Sequence, residues 1–143
     1  MQYSRRNLMV MAAGGALGGV LLPFAAPQAA RADTAAAVLD RFTGGATPAA
    51  GDLRLVAPDI AENGNAVSIE IEAPGAVAVL LVAPRNPAPE VLTWQPGALS
   101  TGRLVTRIRM AETQELIAVA RMDDGAFVEA RARVQVTVGG CTV

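Results

Sequence analysis

The chain is 143 residues long, about one domain's worth, with 12 basic and 13 acidic side chains that leave it close to neutral. It contains no histidine, which removes the usual general base, the commonest metal ligand and the partner of a Ser or Cys nucleophile. Its basic residues are all arginines and form no basic cluster, so neither nucleic acid nor an anionic membrane surface is an expected partner.

Residues 1–32 read as a cleavable export signal. Ser4-Arg5-Arg6, followed by Leu8 and Met9, resembles the twin-arginine signal, which is read by a translocase that carries folded proteins. An ordinary secretory signal that happens to hold two arginines is the alternative. The apolar run ending near Leu22 is broken by four glycines and is too short and too weakly apolar for a membrane-spanning helix. Ala30-Arg31-Ala32 supplies the small-x-small cleavage pattern, with Asp33 as the new N-terminus. Cleavage there leaves nine arginines against thirteen acids, a net charge of −4, on a mature protein with no membrane segment.

From Asp33 and Thr34, both good N-caps, Ala35 to Phe42 predicts a short amphipathic helix with Val38, Leu39 and Phe42 on one side, stopped by Gly44-Gly45. Ala46 to Gly51 reads as a linker. Thereafter the period switches to that of strands. Leu53 to Val56 is a short strand closed by Pro58, and Asn63-Gly64-Asn65 is a turn. Val67, Ile69 and Ile71 alternate with Ser68, Glu70 and Glu72, so this strand has one dry and one wet face. Val77 to Ala83 is apolar on both faces, which predicts a central strand covered on one side by the core and on the other by a helix or a partner.

After the loop Arg85 to Pro89, Val91 to Gln95 resumes as a strand before Pro96-Gly97. Leu104 to Met110 alternates, setting Leu104, Thr106, Ile108 and Met110 against Arg103, Val105, Arg107 and Arg109. The arginine face offers an anion site, for sulfate for example; pairing with glutamates on a solvated strand face is the plainer explanation. Leu116 to Ala120 is another apolar strand, Met122 to Gly125 a hairpin turn, and Phe127 to Val138 a long closing strand. About seven strands at intervals near ten residues predict a mainly β fold, an antiparallel immunoglobulin-like β-sandwich with one short N-terminal helix.

Chemistry is sparse in this framework. There is no Cys-x-x-Cys or histidine cluster for zinc, copper or iron, no phosphate or dinucleotide loop and no nucleophile elbow, so no cofactor is expected. Glu70 with Glu72 and Asp123 with Asp124 fall at strand and turn positions where solvated acids are ordinary. Cys141 is the single cysteine, so in an exported protein it either pairs with another chain or stays a reactive thiol. It follows Gly139-Gly140, two residues that restrict the backbone little, and the five residues 139–143 extend about 17 Å as a flexible arm.

Several segments together are highly specific: Thr43-Gly44-Gly45-Ala46-Thr47-Pro48, Ile60-Ala61-Glu62-Asn63-Gly64, Asn86 to Glu90, Thr106-Arg107-Ile108-Arg109, Ala111-Glu112-Thr113-Gln114 and Val136 to Cys141. Through them residues 33–143 resemble, over essentially their whole length, the Y subunit of the Sox thiosulfate-oxidation carrier. The resemblance implies a periplasmic, non-enzymatic carrier of immunoglobulin-like fold that pairs with the Z subunit. By position Cys141 is then the covalent attachment site for sulfur intermediates, and Gly139 and Gly140 its tether. A c-type cytochrome loads thiosulfate in that family, a dimanganese hydrolase releases sulfate and a sulfane dehydrogenase oxidises the remaining sulfur. The Z subunit there lacks an export signal, so a folded heterodimer leaves on the Y subunit's Arg5-Arg6 signal. The sequence departs from the family at its end, where Thr142-Val143 replaces a glycine pair and makes the arm stiffer and bulkier.

The expected division is thus a signal at 1–32, a sandwich domain at 33–138 and an arm at 139–143. The other reading is a structural immunoglobulin-like module whose lone cysteine forms one permanent intermolecular disulfide. On the carrier reading the strand Val77 to Ala83 and the helix Ala35 to Phe42 are candidates for the subunit contact.

Overall fold

Alternating apolar and polar side chains make a strand into a two-faced ribbon, and two such ribbons bury their apolar faces against one another. In the computed structural model, which describes residues 33–139, that pairing produces a sandwich of two sheets. One sheet has three strands in the order β1 (Arg54–Val56), β3 (Val67–Glu72), β6 (Arg103–Ile108). The other has five, in the order β2 (Ile60–Ala61), β8 (Phe127–Val136), β7 (Gln114–Met122), β4 (Ala76–Val82), β5 (Glu90–Trp94).

The core between the sheets draws on the dry face of every long strand. Val67, Ile69 and Ile71 of β3 meet Val79 and Leu81 of β4, Leu116 and Ala118 of β7 and Val134 of β8. The alternation read from the sequence is therefore the inside–outside pattern of the sandwich, and Glu70, Glu72, Arg103, Val105 and Arg107 lie on the outer face of the three-stranded sheet.

A second, smaller core explains why β4 is apolar on both faces. Helix α1 (Ala35–Thr43) lies on the outside of the five-stranded sheet, and its Val38 packs with Leu80, Val82, Ile117 and Val119. Phe42 meets Phe127 edge to face, ring centroids 5.9 Å apart. A nine-residue helix is too short to persist on its own, so this burial is what keeps it. Its ends are closed locally. The Thr34 hydroxyl accepts from the Ala37 N–H at 3.2 Å, and Gly44 takes the left-handed conformation at φ 65° while donating to the Asp40 carbonyl.

Leu80 and Val82 are at most 1% exposed beneath this helix. The sheet face of the proposed subunit contact is thus already occupied by the chain's own helix, and the apolar side of α1 faces inward with it. Of the large apolar side chains in these two segments, only Val77, 40% exposed, and the half-buried Leu39 and Phe42 leave apolar surface uncovered.

Two further features depart from a plain antiparallel sandwich. Strand β2 is only two residues long and pairs parallel to the end of β8, Ile60 beside Gln135 and Ala61 beside Val136. The segment read as a linker is also fixed. Ala49 bridges to Val128, its N–H donating to the Phe127 carbonyl and its carbonyl accepting from Glu129, both at 2.9 Å. Between them β2 and Ala49 cover the edge of β8 that would otherwise be open.

Candidate functional site

Of the residues singled out by sequence, Cys141, Gly140, Arg5 and Arg6 lie outside the described residues, and Gly139 is the last one within them. The site that can be built is therefore the base from which the cysteine segment leaves the sandwich.

Strand β8 does not simply end there. Past Val136 the chain continues to be held by the segment that carries β2. The Gln135 N–H donates to the Asp59 carbonyl at 2.8 Å, Thr137 N–H to Ala61 at 3.0 Å, and the Thr137 hydroxyl to the Glu62 carbonyl at 2.9 Å. Gly64, in the Asn63-Gly64-Asn65 turn, then donates its N–H to the Val138 carbonyl at 2.7 Å. The same glycine's carbonyl accepts from Met110 at 2.8 Å, so one turn links the end of β8 to the end of β6.

Gly139 packs against the backbone of Ala111, and a Cβ built on it would run into the Ala111 carbonyl oxygen. The sequence offers freedom of the backbone as the reason for this glycine. The structure supplies a second one, close approach of two main chains, so the first residue of the expected tether is a packed residue.

The Ala111 backbone is in turn held by a polar lattice that the sequence alone did not single out as a site. Asn86 donates from Nδ2 to the Arg109 carbonyl at 2.8 Å and accepts through Oδ1 from the Ala111 N–H at 2.9 Å and from Gln114 Nε2 at 3.0 Å. Gln114, only 4% exposed, accepts from the Arg85 N–H through Oε1 at 2.9 Å and also donates to the Glu112 carbonyl at 3.3 Å. Thr113 Oγ1 accepts from the Val136 N–H at 2.9 Å. A buried amide is costly unless its donors and acceptors are met. Among the described residues no buried side-chain nitrogen or oxygen lacks a partner. A glutamine opening an otherwise apolar strand and an asparagine before Pro87 are the sequence signals that point to this lattice.

The arginine face resolves into ion pairs on its β1 side. Arg103 Nε donates to Glu70 at 2.6 Å, and Arg54 lies 3.6 Å from Glu72. The hydrogen bond from Arg103 holds the Glu70 carboxyl below the ordinary glutamate range, the opposite of what a catalytic acid requires. No ion pair among the described residues includes Arg107 or Arg109. Arg41 joins Asp33 and Glu90 at 2.7 and 3.0 Å, and Arg131 joins Glu115 and Glu129. These pairs are exposed and contribute little each.

Among curated protein sequences none matches the chain. Among solved structures it is similar to the sulfur carrier protein SoxY from Chlorobium limicola f thiosulfatophilum, at 26% identity and a TM-score of 0.62, over 69% of this chain and 88% of that one. A superoxide reductase (neelaredoxin) from Ignicoccus hospitalis also aligns, at 13% identity and a TM-score of 0.52, over 60% of this chain and 80% of that one; a likeness this distant speaks for a shared sandwich fold alone. The family model described as sulfur oxidation protein SoxY matches residues 39–141, a span that runs from inside α1 through the packed base at Gly139 to the cysteine itself, and the chain belongs to that family.

Proposed function

We propose that this protein is a covalent sulfur carrier in the oxidation of reduced sulfur compounds, with Cys141 as the attachment site. The observation that carries the reading is the extent of the family match, which reaches Cys141, together with the structural likeness to a sulfur carrier protein. Cys141 is the chain's single thiol, so any covalently held sulfur intermediate has one place to sit. The body contributes no catalytic residue on this reading; loading and unloading are done by other proteins.

The partners proposed are those the sequence resemblance implied: a Z subunit forming a heterodimer, a c-type cytochrome that loads thiosulfate, a sulfate-releasing hydrolase and a sulfane dehydrogenase. The proposed place of action is the periplasm, reached in the folded state through a twin-arginine signal at Arg5-Arg6. Residues 1–32 are then the removed signal, 33–138 the sandwich and 139–143 the cysteine-bearing arm. Replacing Arg5 and Arg6 by lysines is expected to block export, and undiminished secretion would refute that part.

Intact mass of the purified protein, with and without reductant, tests the carrier role. Adducts of one or more sulfur atoms, or of thiosulfate less two electrons, are expected on the wild type and absent from Cys141→Ser. A uniform disulfide-linked species with no sulfur adduct, or full support of thiosulfate oxidation by Cys141→Ser, would overturn it.

A further inference from the structure

Three loops meet at the base of the cysteine segment: the turn at 63–65, the 84–89 connection between β4 and β5, and the 109–113 connection between β6 and β7. The last two are joined by side chains, at the rim by the exposed ion pair of Arg85 with Glu112 at 3.1 Å and further in by Asn86. Its amide group satisfies the Arg109 carbonyl, the Ala111 N–H and the Gln114 amide at once, at 2.8, 2.9 and 3.0 Å. Gln114 passes the restraint back to the Arg85 N–H at 2.9 Å. Ala111, held in this way, presents the carbonyl against which Gly139 packs.

We infer that Asn86 is a positioning residue for the sulfur-bearing thiol: by fixing the backbone at 109–111 it sets the place of Gly139, the residue from which the segment carrying Cys141 continues. Two properties of the geometry support this over a purely local role. The lattice holds the three-residue stretch 109–111, and its Ala111 is a backbone-to-backbone neighbour of Gly139 with no side chain to absorb a shift. A displacement of the 109–111 loop is therefore transmitted to Gly139, two residues before Cys141. The lattice is also not what joins the strands. Thr113, in the same connection, is anchored separately to Val136 at 2.9 Å, and the end of β6 reaches Val138 through Gly64, so β6 and β7 stay joined to the segment of β8 without Asn86.

The inference rests on the carrier reading for the meaning of the segment, but its test does not use sulfur transfer, so the two fail separately. The single native cysteine takes one spin label, and Arg121→Cys on β7, an exposed position of a central strand, takes the second. The distance distribution between the labels reads the departure geometry. With Asn86→Ala the distribution is expected to broaden and its mean to shift. Asn86→Asp keeps the two accepting bonds but sets a carboxylate oxygen against the Arg109 carbonyl in place of the donor, and is expected to broaden it too; it also serves if the alanine variant does not fold. Thr34→Ala, which removes the α1 cap far from this base, lowers stability but leaves the distribution unchanged. Distributions for both Asn86 variants that superimpose on the wild type would overturn the assignment, as would equal broadening by Thr34→Ala.

Discussion

Gly139 separates two accounts of the end of this molecule. If the glycine serves only as a flexible tether, alanine there is nearly silent. If it serves close packing, alanine cannot be accommodated, because the obstacle is the Ala111 carbonyl, a backbone atom whose own residue is tied to Asn86 at 2.9 Å. The adjoining Met110 is tied to Gly64 at 2.8 Å, so the loop has little room to retreat. The end of β8 must move instead. The hydrogen bond from Gly64 to the Val138 carbonyl breaks first, followed by that from the Thr137 hydroxyl to Glu62. Each such bond is worth about 0.5–1.5 kcal/mol net, so Gly139→Ala is expected to destabilise by about 1–3 kcal/mol. For a domain of this size that lowers the melting midpoint by roughly 4–8 °C per kcal/mol. Equilibrium urea unfolding reads the change as a lower midpoint at unchanged slope, and amide exchange reads it locally as faster exchange at Gly64. An unchanged midpoint together with an unchanged Gly64 amide would refute the close-packing account.

Three other predictions address separate parts of the molecule. Leu80→Ala, beneath α1, is expected to cost about 2–5 kcal/mol in urea unfolding, with α1 amides losing protection first; loss confined to the inter-sheet core would contradict the two-core arrangement. Because Arg103 lowers the Glu70 carboxyl, this pair stabilises the fold above the ordinary glutamate range and the gain is lost as pH falls through the lowered value. The melting temperatures of wild type and Glu70→Gln should therefore differ near neutrality and converge on acidification, and a gap that persists in acid would exclude the pair as its source. On the carrier reading, Thr142→Gly with Val143→Gly removes the stiff, bulky end of the arm and is expected to raise turnover by sulfur-oxidation enzymes, mainly through a lower KM; unchanged kinetics would show that the β-branched pair imposes no barrier.

Much of this fold is written in short-range periodicity. The alternation in Val67–Glu72, Arg103–Ile108 and Phe127–Val136 marks both the strands and their buried faces, because period two is a property of each strand alone. The doubly apolar Ala76–Val82 even announces that something must cover its second face, and α1 does. What does not show is whatever depends on residues distant in sequence. Ile60–Ala61 is too short to display a period and lies between Pro58 and a turn, so its parallel pairing with β8 is set entirely by tertiary contact. The linker-like stretch around Ala49 is bound for the same reason. In the candidate site the thiol is legible because Cys141 is alone. The lattice of Asn86 and Gln114 is marked only by a glutamine at the start of an apolar strand and an asparagine before Pro87. Neither residue shows its partner until the fold brings positions 86, 109, 111 and 114 together.

Strand β8 is the last of the strands to be synthesised, yet it does not lie at the border of its sheet. It sits between β7 and the early segments at Ala49 and Ile60–Ala61. A chain emerging in order can assemble β1, β3 and β6 first, while the larger sheet waits for its closing strand. Folding is therefore dominated by pairings of long sequence separation and belongs to the slower end of the range for domains of this size. Until β8 docks, Gly64 has no Val138 carbonyl to hold and Ala111 has no Gly139 to meet. Completion of the body and placement of the thiol's base are one event, so an incompletely folded chain lacks the structured base from which the thiol is offered.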